Sequence, residues 1–233
     1  MTKRVAIIQS NYIPWKGYFD IIQSVDEFVL YDDMQYTRRD WRNRNVIKSA
    51  NGLQWLSIPV EVKGKYFQSI KDTKVAEMNW NIKHWQIIKQ NYNKAKGFKE
   101  YSDIIESLYI NCNFEYLSEI NYYFLTNICS ILGISTKFRW SNEFLLEEDR
   151  TQRLISICKQ CDADTYVSGP AAKSYMDEAV FDNEGIKLEY FDYNGYQEYN
   201  QIYPPFTHYV SIIDLLLNEG KNSVEIYKKT AIK

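Results

Sequence analysis

Two stretches near the start of the sequence bring together residue types that stack on rings, hold anions and move protons. The first, Gln9-Ser10-Asn11-Tyr12-Ile13-Pro14-Trp15-Lys16-Gly17-Tyr18, mixes hydrogen-bonding side chains with three aromatic rings. Tyr and Trp each carry a flat apolar face and a polar tip, so Tyr12, Trp15 and Tyr18 could line a pocket for a sugar or a base, with Gln9 as a further binding residue. Gly17 would let a ligand approach the backbone closely. An ordinary strand-helix turn with Trp15 and Tyr18 packed inward is the other reading. The second stretch runs from Asp32 to Arg44 and holds Arg38, Arg39, Arg42 and Arg44. Guanidinium groups present forked donors to phosphate or carboxylate, so this density suits a diphosphate, although a solvated, salt-bridged loop has the same composition. Asp32 and Asp33 beside it could ligate magnesium or supply a general base, and Gln35 adds an amide.

The chain has only two histidines. His84 falls one helical turn after Trp80, where it could act as a base near neutral pH with Trp80 beside the substrate, or serve as a partly exposed structural residue. His208, in Pro204-Pro205-Phe206-Thr207-His208, suggests no mechanism. Cys158 and Cys161 form a C-x-x-C, but a tetrahedral zinc needs two more ligands and no second pair exists, so both read as buried thiols and no metal site is expected. Serine-hydrolase, Walker, dinucleotide-binding and zincin motifs are absent from the sequence.

These groups have to be positioned by elements that the apolar pattern marks. Val5-Ala6-Ile7-Ile8 and Phe28-Val29-Leu30-Tyr31 are short continuous apolar runs, as buried parallel strands require. Between them residues 17–24 repeat apolar positions at helical spacing, which completes a strand-helix-strand unit. Such units bind ligands at the carboxyl ends of their strands, here residues 9–17 and 32–44. Asn51-Gly52, flanked by Val46-Ile47-Lys48 and Trp55-Leu56-Ser57-Ile58, predicts an inserted β-hairpin. A strand is expected at residues 70–75, a helix at 80–92, and two helices across 101–132 ending at Gly133. Beyond them come a strand at 136–140, a helix at 151–161 capped by Thr151, and a strand at Thr165-Tyr166-Val167. The tight loop Ser168-Gly169-Pro170, a short helix at 173–181, a strand at 187–191 and a helix at 211–218 finish the pattern. Alternating strands and helices at both ends predict a three-layer α/β fold with a mostly parallel sheet, a β-hairpin and a helical insertion.

Length and charge bound the rest. The 233 residues, 45% hydrophobic, suit a single domain spanning 1–233. With 28 basic against 30 acidic residues, no general attraction to nucleic acid follows. The opening apolar run is too short for a signal segment and no later run reaches membrane-spanning length, so no membrane span and a cytoplasmic location are expected. The aromatic fraction, 16%, fits a ring-stacking site and equally fits a lysine- and asparagine-rich, low-GC genome.

The motif Gln9-x-x-Tyr12-x-Pro14-Trp15-x-Gly17-Tyr18-Phe19, followed by Tyr31-Asp32-Asp33-x-Gln35-Tyr36 and Arg42-Asn43-Arg44, resembles the opening of the WbqC-like family. Asp164-Thr165-Tyr166-Val167-Ser168-Gly169-Pro170, Tyr199-x-Gln201 and Ser211-Ile212-x-Asp214-Leu215-Leu216-x-Asn218-x-Gly220 extend the resemblance over nearly the whole chain. It implies a step in O-antigen or capsule biosynthesis. More distantly, Trp15-Lys16-Gly17-Tyr18 occupies the position of the HxGH signature of nucleotidyltransferases and pantothenate-synthetase-like ligases. Aromatic rings replace both of its histidines, which removes the imidazolium that adenylation uses.

Pathway and site together lead to one expected activity: N-acylation of a nucleotide-linked amino sugar, with an acyl or aminoacyl thioester of coenzyme A or an acyl carrier protein as donor. Arg42 and Arg44 would hold phosphate, Tyr12, Trp15 and Tyr18 the sugar or base, Ser168 and Gly169 the far side, and His84 or Asp33 would take the proton. The alternatives are an ATP-dependent ligase working through an acyl-adenylate, and a sugar-nucleotide-binding protein without turnover.

Overall fold

In the computed structural model, which describes residues 2–228, the buried runs become a five-stranded parallel sheet. Met1 and residues 229–233 of the expected domain lie outside the described residues. Strand β1 (Arg4–Ile8) leads through helix α1 (Lys16–Gln23) to β2 (Glu27–Leu30). An insertion follows, made of the hairpin β3 (Arg44–Ser49) and β4 (Gly52–Ser57) and the helices α2 (Trp80–Tyr92), α3 (Phe98–Ile110) and α4 (Leu117–Leu132). The sheet resumes with β5 (Lys137–Trp140), α5 (Arg150–Gln160), β6 (Thr165–Ser168), α6 (Glu178–Asn183) and β7 (Lys187–Tyr190). Helices α7 (Ile212–Glu219) and α8 (Ser223–Ile226) come last.

Side chains alternate across the sheet with period two and so build two cores. Val5, Ile7, Val29 and Tyr166 face Leu154, Cys158 and Phe181 of α5 and α6. Ala6, Phe28, Leu30 and Val167 face Phe19 of α1, Phe124 of α4 and Leu216 of α7. Because both faces are covered, the inner strands β1 and β2 carry continuous apolar runs, Val5-Ala6-Ile7-Ile8 and Phe28-Val29-Leu30, whereas the edge strands β5 (Lys137-Phe138-Arg139-Trp140) and β7 (Lys187-Leu188-Glu189-Tyr190) alternate charged and apolar residues. Cys158 and Cys161 are free thiols, 0% and 1% exposed, in the first of these cores, and burial pushes the Cys161 thiol up to about 12.

The strand order β5-β2-β1-β6-β7 reverses direction at β1. One connection leaves β1 toward β2 and the other arrives at β6 from the opposite edge, which opens a crevice at the carboxyl ends of β1 and β6. The sheet thus brings residues 9–17 and Ser168-Gly169 to the same end.

Three local expectations are corrected. Residues 70–75 make only an isolated bridge at each of Val75 and Lys74 instead of a strand. The segment expected as one helix at 173–181 divides into a 3-10 helix, Pro170–Ser174, and α6, whose N-cap is Asp177. Helix α5 starts earlier than Thr151: the Asp149 carboxylate accepts the N–H groups of Thr151 and Gln152, each at 2.9 Å. Asp149→Ala is therefore expected to cost about 1 kcal/mol in urea unfolding, whereas Thr151→Ala costs far less. In the hairpin Ser49 pairs with Gly52, so Ala50 and Asn51 make the turn and Gly52, at φ 102°, already belongs to β4. Among the described residues no helix is long and apolar enough to cross a membrane.

Candidate functional site

The loop after β1 is held from several sides. Asp32, 1% exposed at the end of β2, accepts the Ser10 N–H at 2.8 Å and the Ser118 hydroxyl. Burial raises the Asp32 pKa, and these bonds work against that rise. Arg42 donates through Nη1 to the carbonyls of Gln9 (3.2 Å) and Ser10 (3.3 Å) and to Asn11 Oδ1. The Tyr18 hydroxyl donates to the Gln9 carbonyl at 2.8 Å. Asn121, fully buried on α4, donates to Ser10 Oγ and the Arg42 carbonyl, both at 2.9 Å. Within this clamp Ile13 has φ 35°. A β-branched residue there stores strain of about 1–3 kcal/mol, the kind of cost that is held only where surrounding contacts over-determine the backbone.

Outside the clamp lies a cavity of about 240 Å³ lined by Asn11, Pro14, Trp15, Trp41, Asn45 and Tyr209. Trp15 stands over Gly17, where an added Cβ would fall 2.3 Å from the indole ring. The space that Gly17 leaves is thus taken by Trp15 rather than left for a ligand. The Trp41 ring lies 5.5 Å from Trp55, and the Arg44 guanidinium sits 4.0 Å above Trp55. Both indoles are almost half exposed. Of the four arginines in this stretch, only Arg42 is ion-paired among the described residues, to Asp40 at 3.6 Å. The buried Nε atoms of Arg42 and Arg44 have no protein partner. The cavity flank therefore keeps a surplus of positive charge beside aromatic rings. A larger, polar cavity of about 380 Å³, reached by Gln23, Asp26 and Thr136, lies at the amino ends of the strands, away from the crevice.

The other expected site residues fall elsewhere. Tyr12 is fully buried and Trp80 is 2% exposed; the two rings meet edge to face at 5.7 Å. His84, 5% exposed, is locked between them and the hairpin. Its Nε2 lies 3.2 Å from the Ser57 carbonyl, which can only accept, so Nε2 carries the proton and Nδ1 accepts the Tyr12 hydroxyl at 2.9 Å. Tyr109 then donates to Tyr12 at 2.8 Å. Burial lowers the His84 pKa to about 4, so the ring is neutral. Between pH 4 and the unfolded value near 6.5 the unfolded chain binds the extra proton, and stability falls as pH falls through that window. Wild type is expected to lose stability relative to His84→Asn on going from about pH 7 to about pH 5, as read by urea unfolding at each pH.

Asp33, at the end of β2, is bound by Lys71 and Ser141 and shares no hydrogen-bond partner with His84. The exposed Gln35 donates to the Tyr66 carbonyl at 2.9 Å. Ser168 is 5% exposed and its carbonyl accepts the Phe191 N–H, while an added Cβ at Gly169 would meet nothing within 4 Å.

Sequence reasoning missed the strap of residues 191–211, which contains no helix or strand and crosses the carboxyl end of the sheet. Its rings Tyr193, Tyr196 and Tyr209 surround Trp15 at 5.3–6.0 Å. Lys16, 2% exposed beneath it, donates to the Gln197 carbonyl at 2.9 Å with the rings of Tyr196 and Tyr199 5.3 and 5.0 Å away. Burial lowers its pKa to about 8 against the pull of Asp214 and Glu198. His208 belongs to the same strap, its ring packed edge-on to Phe206 at 4.6 Å. The strap is fixed to α7 by Asp214, which accepts from Tyr199 and Gln201, and by Asn218, which accepts the Ile202 N–H at 3.0 Å.

A parallel α/β sheet with a polar, aromatic site at its direction reversal defines the class of protein. Within that class the chain belongs to the WbqC-like protein family, whose model matches residues 9–226. It is 50% identical over 218 residues to Rv1507c, an uncharacterized protein of Mycobacterium tuberculosis, with 94% of each chain covered. No solved structure matches it.

Proposed function

We propose that the protein is a transferase that binds a nucleotide-linked amino sugar at the carboxyl end of β1 and acylates its amine, as a step in surface-polysaccharide assembly. The observation that carries this reading is the aromatic-walled cavity flanked by arginines that outnumber their carboxylate partner. Arg42 and Arg44 hold the diphosphate, while Trp15, Trp41 and Tyr209 supply faces for the base or sugar. The amine attacks the carbonyl carbon of an acyl thioester from coenzyme A or an acyl carrier protein; the C–N bond forms, the C–S bond breaks and the thiol leaves. Asp33, once freed from Lys71 and Ser141, takes the amine proton, and His84, sealed in the core, positions Tyr12.

A second reading, a sugar-nucleotide-binding protein without turnover, is favoured by one observation: His84 and Asp33 do not converge on a common group. Mass spectrometry of mixtures of the protein, UDP-, dTDP- or GDP-linked amino sugars and a broad panel of acyl thioesters separates the two. An acylated sugar nucleotide with equimolar free thiol supports the transferase. Tight binding with no product across the panel supports the binding protein.

A further inference from the structure

Residues 61–69 form a loop whose ring side chains point away from the protein. Phe67 is 85% and Tyr66 73% exposed, and no large apolar side chain among the described residues is more exposed than Phe67. The two rings lie edge to face, 5.0 Å apart. Their exposure does not come from a loose backbone. Gly64, at φ 74°, turns the chain. Gln35 donates to the Tyr66 carbonyl at 2.9 Å, Tyr36 N–H to the Gln68 carbonyl at 2.9 Å, Gln68 to the Glu61 carbonyl at 2.7 Å and Arg38 to the Val62 carbonyl at 3.0 Å. The backbone is thus pinned on the inside, with Val62 packed against the core, while its two aromatic rings are held in water.

The charge around this tip leans positive. Arg38, Arg39, Lys63 and Lys65 are all exposed, against Glu61, which pairs with Lys65, Asp72, which accepts the Ser69 hydroxyl, and Asp40 next to Arg39. Adjacent aromatic rings flanked by cations match the boundary of an anionic bilayer, where rings settle at headgroup level and each nearby lysine or arginine adds attraction. A protein partner fits less well. Two such rings bury about 150–250 Å² each, short of the roughly 800 Å² that each side of a stable protein interface contributes.

We propose that this loop docks the protein on an anionic phospholipid surface, with Tyr66 and Phe67 inserted at the headgroup level. The chain that follows it runs back along the end of β2, Ile70 N–H bonding the Met34 carbonyl at 2.9 Å and Lys71 N–H the Asp32 carbonyl at 3.0 Å. The loop therefore projects from the same end of the sheet as the cavity, and docking brings that end to the membrane surface. The inference does not depend on the acyl-transfer reading.

Co-sedimentation with vesicles of phosphatidylcholine alone, and of phosphatidylcholine mixed with an equal amount of phosphatidylglycerol, tests it. Wild type is expected to sediment with the anionic vesicles and to be released by added salt. Tyr66→Ser combined with Phe67→Ser reduces binding to the background level, and Lys63→Gln or Arg39→Gln each lowers the partition coefficient about fivefold. All these side chains are exposed, so unchanged urea midpoints show that the variants fold. Absence of binding by wild type, or undiminished binding by the double variant, overturns the proposal. So does self-association that the double variant abolishes without any vesicle binding, which would assign the rings to a protein contact.

Discussion

Replacing Asp214 by alanine is expected to cost about 3–5 kcal/mol of folding stability, the largest effect of any single polar substitution considered for this protein. Asp214 is fully buried on α7 and accepts the hydroxyls of Tyr92 (2.6 Å) and Tyr199 (2.7 Å) and the Gln201 amide (2.8 Å). Truncation leaves three donors without their shared acceptor and removes the negative charge that supports the buried ammonium groups of Lys16 and Lys48. A domain of this size has only about 5–15 kcal/mol in total, so the alanine variant loses a large share of its stability. Asp214→Asn keeps one acceptor oxygen and is expected to retain more of that stability. Urea unfolding of the two variants measures the difference. A loss below about 1 kcal/mol for alanine would show that the strap is not held through Asp214.

The second large effect is on binding. Arg42→Ala removes the guanidinium nearest the loop after β1, and affinity for a nucleotide-linked amino sugar is expected to fall by about 1.5–3 kcal/mol, roughly 10- to 150-fold in Kd. The same side chain ties down the carbonyls of Gln9 and Ser10, so this variant loses stability as well. Arg44→Ala separates the two effects. Among the described residues the Arg44 side chain stacks on Trp55 and donates to the Arg39 carbonyl alone, so its removal is expected to weaken binding with little change in the urea midpoint. Arg42→Lys keeps the charge but not the fork; recovery of stability without full recovery of affinity identifies bidentate phosphate recognition. Calorimetric titration gives the affinities.

Much of the fold was legible because burial on both faces leaves an uninterrupted apolar run, as in Val5-Ala6-Ile7-Ile8, and because helical spacing marks α1, α2 and α4. Residues 70–75 misled because Ile70, Thr73 and Val75 favour extended backbone, while the segment meets its neighbours only at single bridges. Asp149 and Thr151 were both chemically fit to cap α5, and the choice between them depends on where the preceding loop turns. The candidate site was legible as a location but not as a list of side chains. Expected site residues such as Tyr12 and Trp80 are buried by contacts that join positions far apart in sequence, including the bond between Tyr12 and Tyr109. Trp41 and Asn45 flank the arginines that drew attention, yet nothing local shows that they face a cavity. Tyr209 arrives from a strap whose rings have no period, although Tyr199-x-Gln201 and Asp214, noticed only as a resemblance, turn out to be what anchors it.

The most direct test of the central claim is tryptophan fluorescence during titration with a nucleotide-linked amino sugar, comparing wild type with Trp15→Leu. Two of the cavity's six lining residues are tryptophans. Saturable quenching in wild type that competes with the free nucleoside diphosphate, and a Kd raised by at least about tenfold in Trp15→Leu, is the predicted result. Binding of equal affinity in the two proteins would place the ligand elsewhere and contradict the assignment of this crevice.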